Sequence, residues 1–162
     1  MTHYKARAVL EACRQAGVMV VTAESCTGGL IAGALTDIAG SSDVVERGFV
    51  TYSYESKSEL LGVPAPMIAA HGAVSEAVAR AMAEGALAAS RAQISIAVTG
   101  VAGPGSDSQA KPAGLVHLAS AQDGKGVLHE VREFGDIGRD AVRRATVKAA
   151  LDLILARLKA TG

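Results

Sequence analysis

The stretch VVTAESCTGGLIAGALTDIAG, residues 20–40, is where the fold is decided. It completes a short Val-rich run, VMVVTA at 18–23, of the kind that forms a strand buried on both faces. Its second half, GLIAGALTDIAG, places Leu30, Ile31, Ala34, Leu35 and Ile38 at the spacing of an amphipathic helix that ends near Gly40. Between the two, Ser25, Cys26 and Thr27 precede the pair Gly28 and Gly29, so the segment reads as strand, tight turn, helix.

The same alternation extends in both directions. YKARAVLEACRQA at 4–16 sets Ala8, Val9, Ala12 and Cys13 on one helical face, and Gly17 stops it. VVERGFVTYS at 44–53 predicts a second strand, and ESKSELLG a short helix closed by Gly62 before a loop containing Pro64 and Pro66. A long Ala-rich helix is expected from Ser75, with Val78 three residues on, to about Ser90. QISIAVTG at 93–100 is a third strand leading into the Gly-rich loop VAGPGSDSQAKPAG, and such irregular segments often carry function. LVHLAS and GVLHEVREF flank AQDGKG, whose Asp123 and Gly124 signal a hairpin. A final helix spans 138–160. The expected fold is α/β, a three-layer α/β/α sandwich with a mixed sheet covered by helices on both faces, and sites in such sheets gather where strands end.

The composition limits what such a fold can do. With 162 residues a single domain spanning 1–162 is expected, large enough for a real core. Apolar residues make up 49% of the chain and aromatics only 3%, so that core must be built from Ala, Val, Leu and Ile. Sixteen Lys plus Arg balance sixteen Asp plus Glu, which leaves no basic footprint for nucleic acid or an anionic membrane. Cys13 and Cys26 have no CxxC spacing and the histidines do not cluster, so neither a disulfide framework nor a metal site is suggested, and a reducing cytoplasm fits best. No run approaches the roughly 18 apolar residues needed to span a bilayer.

A serine at a strand-to-helix turn stands clear of the sheet, beside the free N–H groups of the helix's first turn, which suit a developing oxyanion. Ser25 occupies that place. The competing reading is that Ser25 or Thr27 caps the helix, as Ser and Thr do routinely. Gly28 and Gly29 let backbone approach a ligand closely. A Ser, His and Asp triad finds no support in the spacing. His117 and His129 fall in strands as sheet-face residues, and His71 before Gly72 is a loop or turn residue. Lysine can serve as base when its pKa is lowered, and Lys57 is the candidate, against the commoner fate of a solvated surface lysine. The one Ser-x-x-Lys, Ser108 to Lys111, is bracketed by Gly103, Pro104, Gly105 and Pro112 and does not read as helical. Lys111 is better read as a ligand contact. GVAGPG fits neither the Rossmann nor the Walker A spacing.

TAESCTGG, DIAGSS, ERGFVTYSYESK, HGAVSE, VTGVAGP, KPAGLV and RDAVRR follow one another across nearly the whole chain. In them the sequence resembles the CinA C-terminal domain family, the nicotinamide-nucleotide amidases. Larger members add a domain similar to molybdopterin-binding proteins, and this chain resembles the stand-alone amidase. The resemblance implies hydrolysis of the carboxamide of nicotinamide mononucleotide to nicotinic acid mononucleotide and ammonia in pyridine nucleotide recycling, with no cofactor or metal. It assigns Ser25 as nucleophile and Lys57 as base, and adds Tyr52, Thr99 and Arg139 as functional positions. Arg139, near the start of the last helix, suits a 5'-phosphate. Tyr52 could relay a proton or orient the ring, against its reading as an aromatic strand residue. Backbone near Gly28 or Gly100 would hold the oxyanion, and Thr27, Gly29, Gly103 and Lys111 complete the expected binding set. Tyr54 departs from the asparagine common in relatives. A small-molecule substrate, no nucleic acid, no membrane and a homo-oligomer are expected. The other class of reading is a non-catalytic CinA-like binding module linked to competence or DNA damage.

Overall fold

The computed structural model describes residues 2–160. In chain order the elements are α1 (Thr2–Ala16), β1 (Val20–Glu24), α2 (Leu30–Thr36), a 3-10 turn (Ser41–Asp43), β2 (Val45–Val50), α3 (Tyr54–Leu61) and α4 (Ala65–His71). Then come α5 (Glu76–Ala88), β3 (Ile94–Gly100), β4 (Leu115–Gln122), β5 (Gly126–Glu133) and α6 (Arg139–Ala160). The five strands form one mixed sheet in the order β2-β1-β3-β4-β5. β1 is parallel to both β2 and β3, whereas β4 and β5 are added antiparallel as a hairpin.

Two cores explain the near-continuous apolar strands. On one face Val20, Ile94, Ile96, Val98, Val116 and Leu118 pack under α1, α2 and α6 through Leu10, Ile31, Leu35, Leu151 and Ile154. On the other, Val21, Ala23, Ala97, Ala119 and Ala121 lie under α5, which contributes Val78, Met82, Ala83 and Ala86. The small side chains of this second face draw α5 in. At Gly85 an added Cβ would lie 1.9 Å from the Leu61 carbonyl oxygen, so the approach of α5 to α3 requires glycine there. A core this rich in alanine needs few aromatics, as the composition implies.

The expected architecture holds, with local corrections. The buried face of α1 is Ala6, Val9, Leu10 and Cys13, one residue displaced from the predicted face, and Ala8 and Ala12 are half-buried. β2 ends at Val50, because Ser53 is taken as the N-cap of α3 and accepts a hydrogen bond from Ser56 N. The Pro64 to Pro66 segment is not a loop. It starts α4, with Pro66 in the first turn, where the missing proline N–H would have no helical partner anyway. Among the described residues no helix is long and apolar enough to cross a membrane.

Candidate active site

The site begins at the C-terminal end of β1. Ser25 N donates to Val98 O at 3.1 Å, which extends the β1–β3 pairing by one step, and Gly28 N closes the turn onto Ser25 O at 3.1 Å. Gly28 and Gly29 follow with φ of 58° and 108°, left-handed conformations that side chains with a Cβ avoid. Neither Ser25 nor Thr27 caps α2, which corrects that reading. The cap is Glu24, fully buried, whose carboxylate accepts from Ile31 N at 2.9 Å, Ala32 N at 3.0 Å and the Thr27 hydroxyl at 2.5 Å. A negative charge at a helix N-terminus is favoured both by the free N–H groups and by the helix dipole. With the helix start satisfied from within the sheet, the Ser25 hydroxyl is left for another partner.

That partner is Lys57. α3 is anchored by its Ser53 cap and turned so that Lys57 and Leu61 are its buried residues. Lys57 is 1% exposed, so the surface-lysine reading is overturned. Its Nζ donates to Thr51 O at 2.7 Å and lies 3.1 Å from Ser25 Oγ. Burial lowers its pKa from 10.5 to about 8, since desolvation penalises the ammonium form. The cause is removal from water. Beside it Cys26 is buried, and burial pushes its thiol up to about 12, so it remains protonated and a poor nucleophile at neutral pH.

A second group of predicted residues meets at Arg139. Arg139, the first residue of α6, donates to Gly103 O at 2.8 Å and to the Tyr52 hydroxyl at 2.7 Å. The last helix, the β2–α3 connection and the Gly-rich loop are thereby tied at one point. Tyr52 is 58% exposed, a loop residue rather than a packed strand aromatic. Thr27 and Thr99 are buried, and the Thr99 hydroxyl donates to Ala73 O at 2.8 Å. Both hydroxyls are bonded within the protein, that of Thr27 to Glu24. Gly100 is required by packing, as its Cβ would stand 2.7 Å from Val116 Cγ2 and 2.9 Å from Leu115 O.

Lys111 Nζ spends one of its three donors on Val74 O, at 2.6 Å. It faces an open hollow of about 560 Å³ lined also by His71, Glu76, Arg80 and His117, and Ser25 is not part of that lining. His71 ends α4. As expected, His117 and His129 lie on the sheet face, their rings stacked with Nδ1 and Nε2 2.9 Å apart. Tyr54 opens α3 and is 45% exposed.

Sequence reasoning missed Glu24 and Arg143. Arg143 Nε donates to Cys26 O at 3.1 Å and Nη2 to Thr27 O at 3.2 Å, so α6 grips the turn that carries Ser25. The signal for Glu24 was present, an acidic residue inside a strand pattern, where an unpaired charge is rarely buried. Arg143 carried no such signal, being one of several basic residues in RDAVRR.

A serine hydroxyl beside a buried lysine, at the strand end of a mixed α/β sheet, defines a class of protein with the parts for acyl transfer. The chain belongs to the family described as the CinA C-terminal domain, which matches residues 3–158. It is 52% identical over 145 residues to the nicotinamide-nucleotide amidohydrolase PncC of Pseudomonas putida, covering 90% of this chain and 89% of that one. It is 48% identical over 135 residues to a relative from Caldicellulosiruptor bescii named for competence and damage induction, 83% of this chain but only 32% of that protein. The crystal structure of the competence/damage inducible protein CihA from Agrobacterium tumefaciens superposes with a TM-score of 0.93 at 52% identity, covering 98% of this chain and 95% of the other.

Proposed function

We propose that this protein hydrolyses the carboxamide of nicotinamide mononucleotide to nicotinic acid mononucleotide and ammonia, and so serves pyridine nucleotide recycling in the cytoplasm. The observation that carries the reading is the buried Lys57 Nζ, 3.1 Å from Ser25 Oγ with its pKa lowered to about 8. The name and 52% identity of the Pseudomonas putida relative support the choice of substrate.

Neutral Lys57 takes the Ser25 proton as Oγ attacks the carboxamide carbon, and the carbonyl oxygen becomes the oxyanion. The Lys57 ammonium then returns that proton to the amide nitrogen, the C–N bond breaks, and ammonia leaves. Water, deprotonated by the same lysine, cleaves the acyl-enzyme and restores the serine. The Thr51 carbonyl holds Nζ in position throughout. Arg139, with guanidinium donors beyond those bonded to Gly103 and Tyr52, binds the 5'-phosphate at the start of α6. Tyr52 orients the ligand through its bond to Arg139.

The test is ammonia release from nicotinamide mononucleotide by the purified protein in the presence of a chelator, with Ser25→Ala as control. Release that depends on Ser25 supports the reading. No release at any pH between 7 and 9.5 overturns it and leaves a binding module as the alternative.

A further inference from the structure

We propose that Arg143 is a positioning residue for an oxyanion-binding amide of the Ser25 turn, the Thr27 N–H, an inference that rests on Ser25 being the nucleophile of the proposed function. The two carbonyls it grips, Cys26 O and Thr27 O, belong to the peptides that carry the N–H groups of Thr27 and Gly28. Both peptides are trans, the one cis bond among the described residues being Gly103–Pro104. In a trans peptide the N–H points opposite to the C=O. Drawing both carbonyls toward α6 therefore turns both N–H groups away from it. The Gly28 N–H is consumed by Ser25 O at 3.1 Å. The Thr27 N–H has no acceptor among the described residues, which leaves it for an oxygen outside the protein.

The guanidinium acts in two ways. Its fork fixes two adjacent carbonyls at once, which an ammonium cannot do in one geometry. Its charge also polarises both peptides, and the N–H at the far end of a polarised peptide is a stronger donor. Glu24 supports the same turn from the other side by holding the Thr27 hydroxyl and the start of α2. Gly28 has an added reason to be glycine, since its Cβ would stand 3.2 Å from Arg143 Nη2.

The experiment compares wild type, Arg143→Lys and Arg143→Met in two reactions. One is turnover of nicotinamide mononucleotide. The other is phosphonylation of Ser25 by a fluorophosphonate, in which an Oγ–P bond forms, the P–F bond breaks and the Oγ proton passes to Lys57. The phosphoryl oxygen of the five-coordinate phosphorus takes the oxyanion place, fluoride leaves, and this arm reads the turn without reference to the substrate. Mass spectrometry of the final labelled fraction counts folded sites.

A directly lost oxyanion donor costs about 100- to 1,000-fold, and a donor that is only misaimed costs less. Arg143→Met should lower kcat and the phosphonylation rate together by about 30-fold, with KM within about threefold, full final labelling and an unmoved pH midpoint. Arg143→Lys should recover only part of the loss. Unchanged rates at full labelling overturn the proposal, as does a loss confined to KM or to the labelled fraction. If wild type labels at Ser25 but releases no ammonia from the mononucleotide, the substrate reading fails and the phosphonylation arm still decides Arg143. If wild type does not label at Ser25, the nucleophile and this proposal fall together.

Discussion

If Lys57 is the base proposed above, its burial should weaken the fold that holds it, and its lowered pKa sets the size of that effect. Lys57 titrates near 10.5 when exposed and at about 8 in the folded protein. Between these values the unfolded chain binds one proton more than the native one, so stability rises with pH across that interval. Below pH 8 both states are protonated and the cost of the buried charge is fully present. Above about 10.5 both are neutral and the cost is gone. The difference corresponds to about 3 kcal/mol. Lys57→Met removes the charge in a side chain of similar length but leaves Thr51 O without its partner, which costs about 1 kcal/mol. The net expectation at pH 7 is a protein more stable by about 2 kcal/mol, a rise in Tm of roughly 4–8 °C for a chain of this size, with turnover abolished. Denaturant unfolding of both proteins at pH 7, 8, 9 and 10 measures it, and the two stability curves should converge as pH rises and cross at about pH 9.5, above which wild type is the more stable. Activity of the wild type should rise about tenfold from pH 7 to 9 with one midpoint near 8, and Lys57→Arg should be nearly inactive because guanidinium keeps its proton. A Lys57→Met protein that is less stable than wild type at pH 7, or a stability gap that does not change with pH, would refute the reasoning.

Ser25→Ala should abolish turnover while leaving the circular dichroism spectrum and most substrate affinity in place, whereas Cys26→Ala should keep activity within about threefold, because its thiol stays protonated. The reverse pattern in a steady-state ammonia assay would reassign the nucleophile. Arg139→Ala should raise KM for nicotinamide mononucleotide at least about tenfold more than for nicotinamide riboside, since a charged contact to phosphate is worth more than one neutral hydrogen bond. Equal effects on both substrates would remove the phosphate from this residue. Glu24→Ala leaves the Thr27 hydroxyl and two N–H groups at the start of α2 unpaired in the interior, and should cost about 2–4 kcal/mol, read as a fall in the denaturation midpoint at constant slope.

How far each part of this protein could be read from its sequence depends on the range of the interaction that makes it. The strand, turn and helix of residues 20–40 were legible because periodicity and glycine placement act within a few residues. The same holds for the helix start at Ser75 and for the mixed, two-sided sheet, whereas Ser53 read as the end of a strand and is the cap of α3. The likeness of motifs to a family pointed to Ser25 and Lys57 together, but ESKSELL taken as a peptide describes an exposed helix. Only the assembled fold, which buries Lys57 beside Thr51 O and Ser25 Oγ, takes water from it, and that desolvation lowers its pKa. The capping of α2 was assigned to the nearest hydroxyls because capping rules are local, yet a carboxylate at the end of a buried strand reaches the same N–H groups through space. The proline pair read as a loop because proline breaks helix interiors, while its place in the first turn of α4 is set by what the helix packs on. Arg143 stands 117 positions from Cys26, and nothing in RDAVRR distinguishes it from its neighbours until α6 lies across the turn. Sequence determines which faces are apolar and where the chain can turn; the assembled layers decide which polar groups lose water and therefore which of them can do chemistry.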